Sequence, residues 1–321
     1  MRLGLFTPLF RALTFDAMLV KLKAFPQIEM LELGTGGWPG AEHLPLDDLL
    51  ASRERTRDYC AKLKDAGLSI SALSCHGNPL HPQPEIAQRD HTVYRRTVEL
   101  AERMHVPVVV TFSGCPGGGP QDLTSNWIVA TWPPEYADAL TWQWEQRLLP
   151  YWTREAAFAA EHGVKIALEA HPGFCVYNPA TMLRLRAAVG AQIGINLDPS
   201  HLWWQGIDIP SAIAELGDAI FHFHAKDVAI LARNRDVNGV LDTRSFRDVA
   251  GRSWLFRSVG WGHGELEWKQ IVSALRVAGY DGVLSIEHED ALLSIDEGLA
   301  SAVAMLCRVL VKEPPAEAWW A

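Results

Sequence analysis

Short apolar segments alternate with longer helix-like segments eight times along the chain, and this alternation is the feature that most limits the fold. The predicted strands are Leu3–Phe6, Ile28–Leu33, Leu68–Ser74, Pro107–Thr111, Val164–Leu168, Ile193–Leu197, Ile220–His224 and Val283–Ile286. The predicted helices are Phe15–Ala24, Ser52–Ala66, Gln88–Met104, Trp142–His162, Pro179–Val189, Ile209–Leu216, Trp268–Ala278 and Leu292–Leu310. Eight β/α repeats without an obvious break predict an α/β fold, a single (β/α)8 barrel domain over residues 1–321. An open doubly wound sheet is the alternative, but no Gly-x-Gly-x-x-Gly motif follows an early strand.

Composition narrows the class of protein. With 321 residues, of which 48% are hydrophobic and 21% charged, the chain can build a large core. A formal charge of −9 argues against general nucleic-acid binding, which needs a basic surface. No apolar run approaches the ~20 residues of a membrane span. The five cysteines are scattered and contain no Cys-x-x-Cys pair, which predicts reduced thiols in a cytoplasmic protein.

Two connections are too long to be simple loops, namely Phe112–Thr141 after strand 4 and Asp227–Glu267 after strand 7. Because both follow a strand, both are predicted at the carboxyl-end rim of the barrel. Many of the 13 tryptophans lie in or beside these insertions: Trp127, Trp132, Trp142, Trp144, Trp203, Trp204, Trp254 and Trp261. They can stabilise the loops, form a wall for a sugar ring, or dock a second subunit. The last five residues, 317–321, are a further predicted interaction segment.

The last four predicted strands each carry a side chain suited to metal binding. In Val164–Leu168 the larger apolar residues share one face, so Glu169 continues the opposite face. The three later strands place Asp198, His224 and Glu287 in the same way. Each residue alone has an ordinary structural explanation. The pattern on four successive strands predicts that all four side chains meet at one rim.

Crowded carboxylates at a barrel mouth repel one another unless protons or a cation intervene. A divalent metal resolves this conflict, and one imidazole completes an oxygen-rich shell. Such a shell favours Mn²⁺, Mg²⁺ or Co²⁺ over a thiolate-type zinc site. We therefore expect one divalent ion, above all Mn²⁺, with Mg²⁺, Co²⁺ and Zn²⁺ as alternatives.

The segments LEAHPG, NLDPSH, FHFHAKD and GYDGVLSIEHED resemble those of the xylose-isomerase-like sugar phosphate isomerase/epimerase superfamily. Its members include tagatose epimerase, inosose isomerase and dehydratase, and the catalytic α subunits of C-glycoside deglycosidases. The resemblance implies that Glu169, Asp198, His224 and Glu287 bind one metal. It also implies that His201, in the Asp-x-x-His element, lies next to the substrate. The AP endonucleases of DNA repair are related, but their histidine-rich trinuclear site does not match this pattern.

Residues near the predicted rim are further candidates. His76 and Asn78, after the third strand, can contact substrate or merely cap the next helix. His171 shares the face of Glu169 and is a candidate base, unless Pro172 turns the chain away.

Two basic residues are also candidates for substrate binding. Lys226 can polarise a carbonyl, although a pair with Glu287 is the alternative. Arg257, in the second insertion, is a candidate for substrate oxygens or a phosphate. The sequence has no glycine-rich phosphate-binding loop after the late strands, which argues against a phosphate as the ligand of Arg257.

The resemblance implies removal of a proton from a carbon next to a carbonyl, with Glu169 and Glu287 as acid and base and His171 as a further candidate. Isomerisation or epimerisation of a keto sugar or cyclitol is the leading prediction. The alternative is a lyase that acts by β-elimination on a 3-oxo-glycoside or inosose. The first insertion resembles that of deglycosidase α subunits, which work with a small β subunit, so a homo-oligomer or such a partner is expected. A non-catalytic sugar-binding barrel is the alternative from another class.

Overall fold

A closed barrel of eight parallel strands forms the centre of the molecule, as the sequence predicts. The computed structural model describes residues 1–314, 316–318 and 320–321, so Trp319 of the predicted terminal interaction segment lies outside the described residues. The strands in the described part are Arg2–Phe6 (β1), Met30–Gly34 (β2), Ser69–Ser74 (β3), Val108–Phe112 (β4), Lys165–Glu169 (β5), Ile193–Leu197 (β6), Ile220–Ala225 (β7), Asp227–Ile230 (β8), Trp254–Arg257 (β9) and Val283–Ile286 (β10). The barrel runs in the order β1-β2-β3-β4-β5-β6-β7-β10 and closes where β10 pairs with β1.

Helices surround the barrel. The described α-helices are Phe15–Leu22 (α1), Leu46–Ala51 (α2), Arg53–Asp65 (α3), Pro84–Met104 (α4), Pro134–Trp142 (α5), Leu149–Glu161 (α6), Pro179–Val189 (α7), Pro199–Trp203 (α8), Ile209–Leu216 (α9), Ala232–Asn238 (α10), Glu265–Val277 (α11) and Ile295–Val309 (α12). A π-helical turn, Gln143–Leu148, joins α5 to α6, and two 3₁₀ turns cover Thr7–Phe10 and Gly217–Ala219. No helix in the described residues is long and apolar enough to cross a membrane.

Several helix boundaries differ from the sequence prediction. Helix α4 begins at Pro84 and not at Gln88, because proline suits the first helical turn. The helix predicted from Trp142 begins instead at Pro134, which leaves residues 113–133 as the loop after β4. Helices α2, α8 and α10 were not predicted; they are only five to seven residues long, too short for a clear periodic pattern.

Alternation along the strands separates the outer core from the barrel interior. Ile166 and Leu168 of β5 are fully buried in the large core that packs against the helices. Ala167 belongs instead to a small interior cluster. Gly194 is needed beside it, because a Cβ there would overlap the carbonyl oxygen of Ala219. The interior cluster of Ala72, Val108, Val110 and Ala167 fills one part of the barrel, and the polar side chains lie nearer the carboxyl ends of the strands.

One detail of β7 departs from strict alternation. The pairing of β6 with β7 shifts by one residue, since Ile195 faces Ile220 but Asn196 faces His222. As a result Phe221 packs against the interior cluster and not beside Phe223 on the helix side, where alternation alone predicts it. Above the shift, His222 and His224 both face the interior.

The second predicted insertion forms an antiparallel hairpin at the carboxyl-end rim. Strands β8 and β9 pair from Asp227 opposite Arg257 to Ile230 opposite Trp254, with α10 between them. Both ends of the insertion are tied to the buried carboxylate of Asp227. It accepts hydrogen bonds from the backbone N–H groups of Val228, Gly260, Gly262 and His263. The Nδ1 atom of His263 also lies 2.7 Å from its Oδ1.

Candidate metal centre and active site

Four side chains from four adjacent strands meet at the carboxyl end of the barrel. Glu169 is the last residue of β5, Asp198 follows β6, His224 lies in β7, and Glu287 follows β10. All four are buried, and one ligand atom from each lies within 4.8 Å of the ligand atoms of the others. The sequence predicted this set as the metal ligands, and the fold brings all of them together.

The unpaired atoms of this cluster fit a divalent cation. Asp198 Oδ2, His224 Nδ1 and Glu287 Oε2 are buried but make no hydrogen bond. His224 Nδ1 lies 2.9 Å from Glu287 Oε2 and 3.4 Å from Glu169 Oε2. A buried polar atom without a partner costs about 1–3 kcal/mol, so several such atoms facing one point indicate a missing common partner. Three carboxylates and one imidazole are a donor set that suits Mn²⁺ or a similar ion.

Glu32 on β2 orients the imidazole from the opposite side. Its carboxylate lies 2.8 Å from His224 Nε2 and accepts hydrogen bonds from the hydroxyls of Ser74 and Ser285. Although burial alone would raise the pKa of Glu32, His224 and His222 lower it to about 2. The pKa of His224 is raised well above its usual value: burial opposes the shift, but Glu32 and Glu287 outweigh it. The Nε2 proton faces Glu32, and a bound cation would replace the proton on Nδ1, so that Nδ1 could serve as a ligand.

Glu169 is held by a second hydrogen-bond network. His76 Nε2 lies 2.9 Å from Glu169 Oε2, and Asn196 Nδ2 donates to the same oxygen over 3.2 Å. Asn196 Oδ1 in turn lies 2.9 Å from His222 Nδ1. The predicted substrate contact His76 therefore also fixes the position of a ligand carboxylate.

Two more histidines stand on the cavity side of Glu169. His201 Nε2 lies 3.2 Å from Glu169 Oε1 and 3.2 Å from Asp198 Oδ2, and its ring centroid is 4.1 Å from that of His171. Burial, and next the nearby His171 and Lys226, lower the pKa of His201 to about 3. His171 Nδ1 lies 2.6 Å from the carbonyl oxygen of Pro172, and burial lowers the pKa of this histidine as well. Pro172 thus does not turn His171 away from the site.

Lys226 is the buried cation of the site. Its Nζ lies 3.2 Å from Glu287 Oε1, 2.7 Å from Glu289 Oε2 and 3.6 Å from Asp198 Oδ2. Burial would raise the pKa of Glu287, but Lys226 and His224 outweigh it and lower that pKa to about 2. The pKa of Asp198 is raised to about 7, mainly by burial, despite the attraction of Lys226. The pair with Glu287 that the sequence suggested for Lys226 is present.

Two predicted substrate contacts have other partners. The amide of Asn78 donates to the carbonyl of Cys115 and to Ser125, and its oxygen accepts from two backbone N–H groups. Asn78 lines the cavity, but its polar atoms tie the loop after β3 to the loop after β4. Arg257 Nε donates to Asp290 Oδ2 over 3.0 Å, and Arg257 is not among the residues that line the cavity.

The cluster opens into one cavity of about 1380 Å³. Glu169, His171, His201, Lys226 and Glu287 line its inner end. Its walls include aromatic residues from strands and loops at this end of the barrel: Trp38, Phe112, Trp127, Phe174, Trp204, Phe246, Trp254 and Phe256. Strand alternation predicts inner-face positions for Asn196 and Glu289 but no role for them, and for Glu32 the sequence favours only a structural hydrogen bond inside the barrel. Glu289 shares the strand face of Glu287, whereas Glu32 has no local signal beyond a charge within an apolar strand.

Comparisons with known proteins identify the family to which this fold belongs. A family profile described as xylose isomerase-like TIM barrel matches residues 28–308. YfiH, an uncharacterized protein of Bacillus subtilis strain 168, is 42% identical over 309 residues, which cover 95% of this chain and 98% of YfiH.

Solved structures share the fold at low identity. The probable 3-DHS dehydratase AsbF of Bacillus anthracis has a TM-score of 0.66 at 19% identity, over 96% of this chain and 99% of AsbF. D-psicose 3-epimerase of Clostridium cellulolyticum H10 has a TM-score of 0.61 at 14% identity, over 96% and 98% of the two chains. The chain belongs to the xylose isomerase-like TIM-barrel family.

Proposed function

We propose that this protein is a divalent-metal-dependent enzyme that removes a proton from a carbon next to a carbonyl in a keto sugar or cyclitol. The leading reaction is isomerisation or epimerisation. The observation that carries the proposal is the shared centre of Glu169, Asp198, His224 and Glu287, which has three buried atoms without a hydrogen bond. Glu169 and Glu287 of this centre line the inner end of a large cavity. The similarity to structures titled as a sugar epimerase and a dehydratase supports it.

Glu169, Asp198, His224 and Glu287 would hold the cation. When bound, a divalent ion supplies a Lewis acid that stabilises the negative charge of the enediolate. Mn²⁺ is the ion we expect, because the donor set is rich in oxygen and has no thiolate.

The two glutamates are suited to proton transfer because both are ionised. The pKa of Glu169 is lowered well below its usual value: burial opposes the shift, but hydrogen bonds from His201 and His76 outweigh it. Glu287 is ionised for a similar reason, through Lys226 and His224. One carboxylate takes the proton from the carbon, whose electrons pass into the enediolate. The other carboxylate first takes up a proton from water and then returns it to the opposite face in epimerisation, or to the neighbouring carbon in isomerisation, while the first loses its proton to water.

His201 and His171 are neutral, because burial lowers the pKa of both. Each neutral imidazole can donate a hydrogen bond to a sugar hydroxyl, or accept one from it, without adding a positive charge to the site. His171, whose Nδ1 faces the Pro172 carbonyl, has Nε2 left as an acceptor and is the further candidate base. Lys226 stabilises the carboxylates on the Glu287 side, and its ammonium group faces the cavity.

A lyase is the second candidate, and the size of the cavity favours it. If the substrate carries a leaving group β to the carbanion, the enediolate electrons expel that group, and a 3-oxo-glycoside or inosose loses it. A cavity of about 1380 Å³ exceeds the roughly 300–1000 Å³ of most small-molecule sites, so it has room for such a group beside the sugar.

Proton exchange in D₂O tests the proposal. The Mn²⁺-loaded protein is incubated with keto sugars, inososes and 3-oxo-glycosides, and NMR follows deuterium at carbons next to the carbonyl. We expect exchange with at least one compound and its loss in Glu169→Gln and Glu287→Gln. The matched control is Glu102→Gln, an exposed carboxylate on α4. Exchange that survives both active-site changes, or is absent with every compound, would leave a non-catalytic sugar-binding barrel as the better account. Release of a leaving group identifies the lyase.

A further inference from the structure

The outer part of the cavity is built by the hairpin insertion and differs in character from the inner end. The inner end is polar, whereas the outer wall includes Val240, Leu241, Phe246, Trp254 and Phe256 from residues 240–256. These are mainly apolar and aromatic side chains on one face of a cavity that is continuous with the metal centre. A hydroxyl-rich sugar ring alone does not need such a surface.

This wall is organised by ring stacking. Trp204 and Trp254 stack with centroids 5.0 Å apart and planes 5° apart, and both are buried. The Arg252 guanidinium lies 4.5 Å from the Trp254 ring centroid and 3.9 Å from that of Phe246. Arg252 is itself buried, and its Nε donates to the carbonyl of Trp254. The aromatic rings are therefore held in place before any ligand arrives.

Two apolar side chains of the wall remain uncovered. Phe246 is 55% exposed and Leu241 is 65% exposed, although both line the cavity. The Phe246 ring also stacks on Phe256, with centroids 5.6 Å apart and planes 10° apart. Packing of the hairpin accounts for the buried tryptophans but leaves the exposed faces of Phe246 and Leu241 without a role.

Phe256 links this wall to the inner site. Lys226 Nζ lies 4.3 Å from the centroid of its ring, and the His201 ring centroid lies 5.3 Å from it. A ligand that reaches from the metal centre along Phe256 therefore meets Phe246, which stacks on it, and Leu241 lines the same cavity.

We propose that the outer wall is a subsite for an apolar, ring-sized substituent carried by the sugar, so that the substrate is a keto-sugar glycoside with a planar aglycone and not a free monosaccharide. This inference rests on the proposed function for the sugar end of the substrate. The occupant of the wall is argued from the wall itself: its aromatic faces are preformed, partly exposed and continuous with the site.

The test compares two probes that differ only in the aglycone, phenyl β-D-glucopyranoside and methyl β-D-glucopyranoside. Their dissociation constants are measured by NMR titration against the Mn²⁺-loaded protein. We expect the phenyl glucoside to bind about tenfold more tightly, which is about 1.4 kcal/mol. The double variant Phe246→Ala/Leu241→Ala should reduce this preference to about twofold or less. The control is Val237→Ala in α10, which truncates another exposed apolar side chain (78%) of the same insertion that lies outside the cavity wall.

Equal affinity for the two glucosides in the unaltered protein would overturn the inference. So would a full phenyl preference in the double variant, or an equal loss of it in Val237→Ala. Phe246 and Leu241 are exposed, so the double variant should fold, and its circular dichroism spectrum checks this. The glucoside binding test can fail or succeed independently of the deuterium-exchange test of the proposed reaction. Deuterium exchange without a phenyl preference removes only the subsite, and a phenyl preference without exchange removes only the proposed reaction.

Discussion

Replacing Glu32 by Gln tests how the metal centre is oriented. Glu32 does not belong to the four-ligand set, and its carboxylate receives hydrogen bonds from His224, Ser74 and Ser285. Glutamine keeps the shape of the side chain and an oxygen that can accept from His224. Its NH₂ group needs an acceptor, and the serine hydroxyls can rotate to provide one. The change therefore removes mainly the negative charge behind the imidazole.

The expected magnitude follows from the role of such partners. Losing the outer partner of a ligand histidine typically lowers metal affinity by about 10- to 100-fold, or about 1.4–2.7 kcal/mol. Glu32 is completely buried and 2.8 Å from His224 Nε2, so we expect the upper half of this range. The loss has two causes: the imidazole becomes a weaker donor, and its preferred tautomer is no longer fixed.

Calorimetric titration with Mn²⁺ measures the effect. The control is Glu102→Gln, whose exposed carboxylate contacts His162 on the surface and should leave the affinity unchanged. Unfolding by urea, measured without metal, separates loss of affinity from loss of structure. If Glu32→Gln binds Mn²⁺ as tightly as the unaltered protein, the argument that Glu32 prepares His224 for metal binding is wrong.

Three further changes test other parts of the structure. Asp198→Asn should abolish the stabilisation by Mn²⁺, about 2.7 kcal/mol at 100 times the dissociation constant, and a persistent thermal shift would contradict this. Gly37→Ala should cost about 1–3 kcal/mol more than Gly163→Ala. Both glycines have a φ near +67°, but only at Gly37 would a Cβ overlap a backbone carbonyl, that of His76; equal urea midpoints would refute this. Asn178→Ala should lower the free energy of unfolding by about 1 kcal/mol, because it removes the N-terminal cap of α7. Asn178→Gly should lower it by only a few tenths of a kcal/mol, and the opposite ranking in urea unfolding would contradict this.

Much of the fold follows from local patterns in the chain. Strand β6 and helices α7 and α9 have the predicted bounds, because their apolar runs are flanked by clear turn and cap residues. The meeting of Glu169, Asp198, His224 and Glu287 could be predicted for a related reason: strand alternation places each of these side chains on the inner face, and the closed barrel brings the strand ends together.

Contacts between distant segments could not be predicted in this way. Glu32 and His224 are 192 positions apart and lie on non-adjacent strands, so only the closed barrel brings them into contact. The sequence predicted that Arg257 contacts substrate, but in the fold its guanidinium group donates a hydrogen bond to Asp290. Likewise, the one-residue shift that turns Phe221 inward depends on how β6 and β7 pair, and no local pattern reports it.

The anchoring of the hairpin at Asp227 has an evolutionary consequence. Asp227 directly follows Lys226, and it fixes the chain where the insertion leaves the barrel and where it returns near Gly260 and Gly262. Residues between these two attachment points can therefore change in length or composition without displacing strand β7. Descendants of one ancestral enzyme could then acquire new aglycone preferences by exchanging this segment while inheriting the same reaction chemistry.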